Sequence, residues 1–224
     1  FADRPARAAF LDSLERRRCI KSHTPMDGIP YGPDPTYIVV FRHPVDVHFS
    51  LRAHVANMKH DLLDHLFPED EQAGFSRFLT GPLTEQGTDD LTLASLSRHY
   101  LQARAREDGG NVHFFHYADL SRDLRGQIIR LAGILDIQLP DQIIDEIAAA
   151  TTFTSMRAVI ETSDERFGDN VPFHDMAKFY DSGTSNKWKG RLSDKDMAAY
   201  ASRFAELMPA DDIAWFEWGD RRHP

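Results

Sequence analysis

The chain has 224 residues, 42% apolar and 27% charged, with 26 lysines and arginines against 35 acids for a formal charge of −9. That composition belongs to a folded globular domain and excludes collagen-like, disordered and disulfide-scaffold chains. The negative global field argues against nucleic acid or an anionic membrane as main partner, but leaves room for a local basic pocket holding one small anion.

The single cysteine, Cys19, allows no internal disulfide and no cysteine-based metal site, and it fits a reducing, cytoplasmic compartment. No apolar run approaches the roughly 18–20 residues of a membrane span, and no signal peptide is visible. The chain opens on Phe1 rather than on methionine, which reads as a start inside a longer gene product. No repeat, low-complexity tract or linker interrupts it, so residues 1–224 are expected to form a single domain.

In chain order, residues 1–18 read as the tail of a helix, with Ala9, Phe10, Leu11 and Leu14 at helical spacing and Arg16, Arg17 and Arg18 as a solvated end. Gly28, Pro30, Gly32, Pro33 and Pro35 make 27–36 a turn-rich loop. Tyr37 to Phe41 is a continuous β-branched and aromatic run, expected to be a strand buried on both faces. Pro44 suits the first position of a helix, with Asp46 in its first turn. Residues 70–80 and 90–106 read as helices around a breaker stretch, with Asp89-Asp90 and Asp211-Asp212 as helix starts. A turn at 108–111 leads to a second strand, Val112 to Tyr117. Apolar stripes then predict helices over 124–135 and 143–150. Asp164 to Arg191 reads as a long loop, Asp194 to Leu207 as a helix, and Trp215, Phe216 and Trp218 as core packing. Strands separated by helices predict an α/β domain, with a central parallel sheet and helices on both faces, like the P-loop nucleotide kinases. Ligands in such sheets bind beyond the carboxyl ends of the strands.

Two segments carry candidate chemistry. Arg42 leaves a strand end where a helix N-terminus opens, so guanidinium and backbone N–H groups can face one anion, with Ser50 adding a hydroxyl. The alternative is that Arg42 pairs with Asp46 and caps the turn. Upstream, Lys21 and His23 stand two residues apart in an extended, pre-proline segment, which points both side chains to one face. Histidine suits proton abstraction from a hydroxyl near neutral pH. His60-Asp61-x-x-Asp64-His65 has loose metal-ligand spacing and reads better as a solvated face. His43 and His48 flank the arginine motif without an assignable role.

In order along the chain, Lys21-Ser22-His23-Thr24-Pro25, Arg42-x-Pro-x-Asp-Val-x-x-Ser50 and Phe115-His116-Tyr117-Ala118-Asp119-Leu120 resemble motifs of the cytosolic-type and bacterial sulfotransferases. Thr151-Thr152-Phe153-x-x-Met156 and Gly183-Thr184-Ser185-Asn186-Lys187-Trp188-Lys189 continue the likeness. The resemblance implies an enzyme that moves a sulfuryl group from 3′-phosphoadenosine 5′-phosphosulfate (PAPS) to an acceptor hydroxyl or amine, leaving 3′-phosphoadenosine 5′-phosphate (PAP) and needing no metal. It implies His23 as general base with Lys21 beside the transferred group, and Arg42 and Ser50 on the cofactor's 3′-phosphate. Tyr117 would hydrogen-bond the adenine and Phe153 stack on it, with Thr152, Met156 and Gly183 completing the cofactor site. The acceptor would be a small molecule or glycan; oligomeric state stays open, a homodimer included.

Two departures stand out. The family's phosphosulfate loop, normally ahead of the lysine–histidine motif, has no counterpart before Lys21, so it is expected to lie outside this chain and the segment alone to be inactive. The family's arginine–lysine pair before the late glycine is here Asp181 and Ser182, so Lys187, Lys189 or Arg191 is expected to substitute. Two rivals remain: a kinase-like phosphotransferase of the same fold class, and a non-catalytic nucleotide- or partner-binding relative.

Overall fold

The computed structural model describes residues 9–60, 63–83, 91–161, 172–180 and 182–220. Its regular elements are β1 (Tyr37–Phe41), α1 (Pro44–Ala56), α2 (Glu71–Thr80), α3 (Leu93–Arg104), β2 (Val112–His116), α4 (Tyr117–Arg122) and α5 (Leu124–Ile134). They continue with α6 (Asp141–Ala150), α7 (Phe153–Glu161), α8 (Asp194–Leu207) and α9 (Ala210–Trp218).

β1 and β2 pair in parallel, in register from Tyr37 opposite Val112 to Phe41 opposite His116. The crossover between them carries α1, α2 and α3, so the expected βαβ unit is present. Val39 and Phe41 load one face of the sheet. There Phe41 meets Tyr100 of α3 at 5.3 Å and Phe216 of α9 at 5.2 Å, in a cluster that joins residue 41 to residue 216. On the opposite face Arg130 of α5 lies 4.3 Å over the Phe115 ring and donates to the Phe114 carbonyl at 2.8 Å. Helices therefore flank both faces.

The expectation that β1 is buried on both sides holds for one side only. Ile38 and Val40 are 37% and 58% exposed. Successive strand residues point to opposite faces, so these two face away from Val39 and Phe41. Neither hydrophobic cluster of the described residues includes them.

Of the helix expected over 1–18, residues 1–8 lie outside the described residues and only 9–12 are helical. The three arginines that follow are irregular chain rather than a helix end, and Arg17 donates to the carbonyl of Leu135. Asp89-Asp90, Asp61 and Asp181 also lie outside the described residues. Asp211 and Asp212 do open a helix, α9, and Phe216 is 1% exposed in the core. Within the long loop expected over 164–191, residues 172–180 hold a 3₁₀ turn at Met176–Lys178. Phe173 there bridges to Met58. Among the described residues, no helix is long and apolar enough to cross a membrane.

Candidate active site

The β1–α1 junction is built by three consecutive residues. Pro44 starts α1 with φ preset and no N–H to satisfy. His43 caps the helix, its Nδ1 accepting from the N–H of Val45 at 3.2 Å. That acceptor role requires a neutral ring on this side. Burial, followed by the charges of His116 and Arg42, pushes His43 down to about 3. The ring stacks on Trp188 at 4.2 Å, with Trp218 edge-on at 4.8 Å. His43, without an assignable role in the sequence, thus fixes the turn from which Arg42 projects.

Arg42 holds several contacts at once. Its guanidinium lies 4.1 Å from the centroid of the Tyr117 ring, and its Nη2 donates to the carbonyl of Thr184. Asp46 Oδ2 is 3.8 Å away, a long ion pair, so the capping alternative is met without excluding an anion. The Nε of Arg42 is buried and has no hydrogen-bond partner among the described residues. An unsatisfied buried donor is costly, and an arriving anion could satisfy it.

The 182–191 loop closes over this corner. Asp46 is 1% exposed, and its two oxygens accept the backbone N–H groups of Asn186 at 3.1 Å and Lys187 at 2.8 Å. The ammonium of Lys187 donates to Ser50 Oγ at 2.9 Å. The Tyr117 hydroxyl donates to the Gly183 carbonyl at 2.9 Å. Gly183 has φ +65°, and a Cβ there would stand 2.7–2.8 Å from three atoms of the Phe153 ring. The glycine therefore lies directly against that ring, whose edge meets Tyr180 at 5.9 Å.

The structure thus links Arg42, Ser50, Tyr117, Phe153 and Gly183 through one loop. Thr152 and Met156 take a different place. Thr152 caps α7: its oxygen accepts the N–H of Ser155 at 3.2 Å, and its hydroxyl bonds Ser155 Oγ at 2.8 Å. Met156 is half-buried in the first turn of α7, its N–H on the Thr152 carbonyl at 2.9 Å.

Lys21 and His23 are both exposed. Their segment is anchored downstream by Met26, packed with Ala103 and Val112, and by Asp27, whose carboxylate meets Arg98 at 2.6 Å. The same arginine holds Asp27 below the usual carboxylate range. His54, one helical turn beyond Ser50 on α1, is depressed first by burial and then by the charge of Lys21. Among the described residues no hydrogen bond or ion pair joins Lys21 or His23 to the Arg42 corner.

The sequence alone did not single out Asp46 as an anchor. An acid in the first turn of a helix reads as a dipole partner, and the amides it holds are 140 and 141 residues away. The donor set at this corner (guanidinium, ammonium and hydroxyl) suits a phosphate group, and Phe153 and Tyr117 supply ring surfaces beside it.

Residues 2–211 match the family model described as Sulfotransferase domain. A glycolipid sulfotransferase of Mycobacterium bovis (strain BCG / Pasteur 1173P2) is 28% identical over 241 residues, covering 95% of this chain and 73% of that protein. A mouse sulfotransferase, SULT7A1, solved in complex with PAP, superposes with a TM-score of 0.72 at 20% identity, over 92% of this chain and 70% of that one. Retinol dehydratase in a complex with retinol and PAP also reaches 0.72 at 20% identity, over 99% of this chain and 60% of that one. These structural likenesses carry the fold.

Proposed function

Because the chain belongs to the sulfotransferase domain family, we propose that it transfers a sulfuryl group from PAPS to an acceptor hydroxyl or amine and releases PAP. The observation that carries this reading is the corner where Arg42, Tyr117 and the 182–191 loop meet, with a buried Arg42 Nε that lacks a partner. Bound there, PAPS would supply a sulfuryl group already activated as a mixed anhydride with phosphate.

The residues divide the work. Arg42 and Ser50 hold the 3′-phosphate through a guanidinium and a hydroxyl, both suited to its oxygens. Phe153 stacks on the adenine, Tyr117 hydrogen-bonds it and Gly183 lies against the Phe153 ring, while Thr152 and Met156 support that ring from the start of α7. His23 takes the proton from the acceptor, a role worth roughly 10²–10⁴-fold, with Lys21 placing positive charge beside the transferred group. The acceptor is a small molecule or a glycan. A reducing, cytoplasmic setting in a bacterium is supported by the lone, exposed Cys19 and by the mycobacterial relative.

A second reading, nucleotide binding without transfer, draws support from the exposed Lys21 and His23, which among the described residues no bond links to the Arg42 corner. A thermal-shift series on the full-length gene product separates these readings. Ligand at 100 times its dissociation constant stabilises by about 2.7 kcal/mol when it binds only the folded state. Stabilisation by PAP but not by ADP with magnesium, lost in Arg42→Ala, supports the PAPS site. Stabilisation by ADP alone would point to a phosphotransferase. Sulfuryl transfer abolished in His23→Ala, with PAP binding kept, supports the enzyme over the binding protein.

A further inference from the structure

We propose that Lys187 is the second cation of the 3′-phosphate subsite, replacing the basic pair whose places are taken by Asp181 and Ser182; this rests on the PAPS reading above. A phosphate monoester carries close to two negative charges, and Arg42 with one serine hydroxyl compensates only part of them. Three cations follow Gly183 closely enough to contribute: Lys187, Lys189 and Arg191. The geometry distinguishes them.

Arg191 is directed elsewhere. Its guanidinium makes a two-pronged ion pair with Glu71 of α2 and lies 4.1 Å over the Phe49 ring. Lys189 is exposed. Lys187 is half-buried and fixed at both ends. Its backbone N–H is held by Asp46 and its ammonium by Ser50, residues one helical turn apart on the same face of α1. The preceding residue, Asn186, has φ +62°, a left-handed turn that asparagine tolerates better than most residues. That turn lets both amides converge on the one carboxylate.

The result is a run of contacts along one face of α1, from Arg42 on Asp46 to Lys187 on Asp46 and Ser50. Because Lys187 donates to Ser50 Oγ, the serine keeps its own O–H to give to a phosphate oxygen. The Asp46 carboxylate receives two backbone N–H groups and lies 3.8 Å from the Arg42 guanidinium. Among the described residues that these contacts join, two cations meet one carboxylate, which leaves a net positive charge for the anion.

The test is calorimetric titration of the full-length protein with PAP and with adenosine 5′-phosphate, which lacks the 3′-phosphate. Wild type is compared with Lys187→Ala, Lys187→Gln and Lys189→Ala, with folding of each checked by thermal unfolding. Loss of a charge-assisted bond predicts that Lys187→Ala binds PAP roughly tenfold to a hundredfold more weakly, while adenosine 5′-phosphate binding changes less than about threefold. Lys187→Gln keeps a donor for Ser50 but no charge, and it is expected to fall with the alanine variant. Lys189→Ala should match wild type. A wild-type preference for PAP that survives in both Lys187 variants overturns this inference alone. A wild type with no preference for PAP over adenosine 5′-phosphate overturns the PAPS reading, and the inference with it.

Discussion

The hydroxyl of Tyr117 donates to the carbonyl of Gly183 at 2.9 Å, a single bond that ties the end of β2 to the loop closing over Arg42. The same tyrosine ring lies under the Arg42 guanidinium at 4.1 Å. One side chain therefore positions both walls of the proposed nucleotide site.

Tyr117→Phe isolates the hydroxyl, since the ring under Arg42 stays. Losing one such bond costs about 0.5–1.5 kcal/mol, which for a domain of this size lowers Tm by roughly 2–4 °C per kcal/mol. PAP binding should weaken by up to about tenfold through loosening of the loop. Thermal unfolding and calorimetry on the same preparation check both. Binding equal to wild type would show that the loop keeps its place without this bond.

Gly183→Ala should be more damaging than any surface glycine replacement. The backbone sits at φ +65° and the new methyl would meet the Phe153 ring at 2.7–2.8 Å. The left-handed conformation alone costs a non-glycine residue about 1–3 kcal/mol, and the ring proposed to stack on adenine has to shift. The expected outcome is a folded protein with lowered Tm and PAP binding reduced more than that stability loss explains. A variant that unfolds and binds as wild type does would remove Gly183 from the site.

Asp46→Ala strips the acceptors from two backbone N–H groups at once. Each donor left without a partner costs about 1–3 kcal/mol, so two of them should lower Tm by roughly 4–24 °C, toward the smaller figure because both bonds are part-buried. Asp46→Asn keeps one carbonyl oxygen but turns an NH₂ toward an N–H donor, and it should fall between wild type and alanine. Ranking the three by thermal unfolding, alone and with PAP, tests whether this carboxylate anchors the 182–191 loop.

What the sequence disclosed follows from the range of the interactions. The β1–turn–α1 unit was legible because Pro44, the β-branched run and the first-turn acid are local signals. Arg42, Ser50, Tyr117, Phe153 and Gly183, proposed for the cofactor site, were singled out through ordered motifs, and the structure links them through one loop. The partners that hold them were not: the stack of His43 on Trp188 and the hold of Asp46 on Asn186 and Lys187 join residues more than 130 positions apart. No periodicity or spacing encodes such pairs. Exposure of Ile38 and Val40 was missed for a related reason, since a short apolar run does not say which of its faces is covered.

His48 makes the last prediction, one about acid. It lies 2% exposed in α1, ringed by Phe49, Phe67, Phe75 and Phe78 at 4.8–6.0 Å. Neither ring nitrogen has a hydrogen-bond partner among the described residues. Burial, then the charges of Arg52 and Arg191, push it down to about 4, against a smaller opposing effect of Glu71. An unfolded chain protonates this ring near its ordinary value of 6.5. Between that value and about 4 the unfolded state therefore binds more protons, and stability rises with pH. The contribution is complete above about 6.5 and lost as pH falls toward 4. Between pH 7.5 and 5 the loss should be on the order of 2 kcal/mol from His48, with a similar share from His43. His48→Leu removes two unpartnered polar atoms from an apolar pocket, so it should unfold at pH 7.5 within about 1 kcal/mol of wild type. Its further loss on going to pH 5 should be smaller than the wild-type loss by the His48 share of about 2 kcal/mol, the remainder coming from His43, His54 and His116, which burial also depresses. Urea unfolding of both proteins at the two pH values measures this directly, and equal losses would place the acid sensitivity elsewhere.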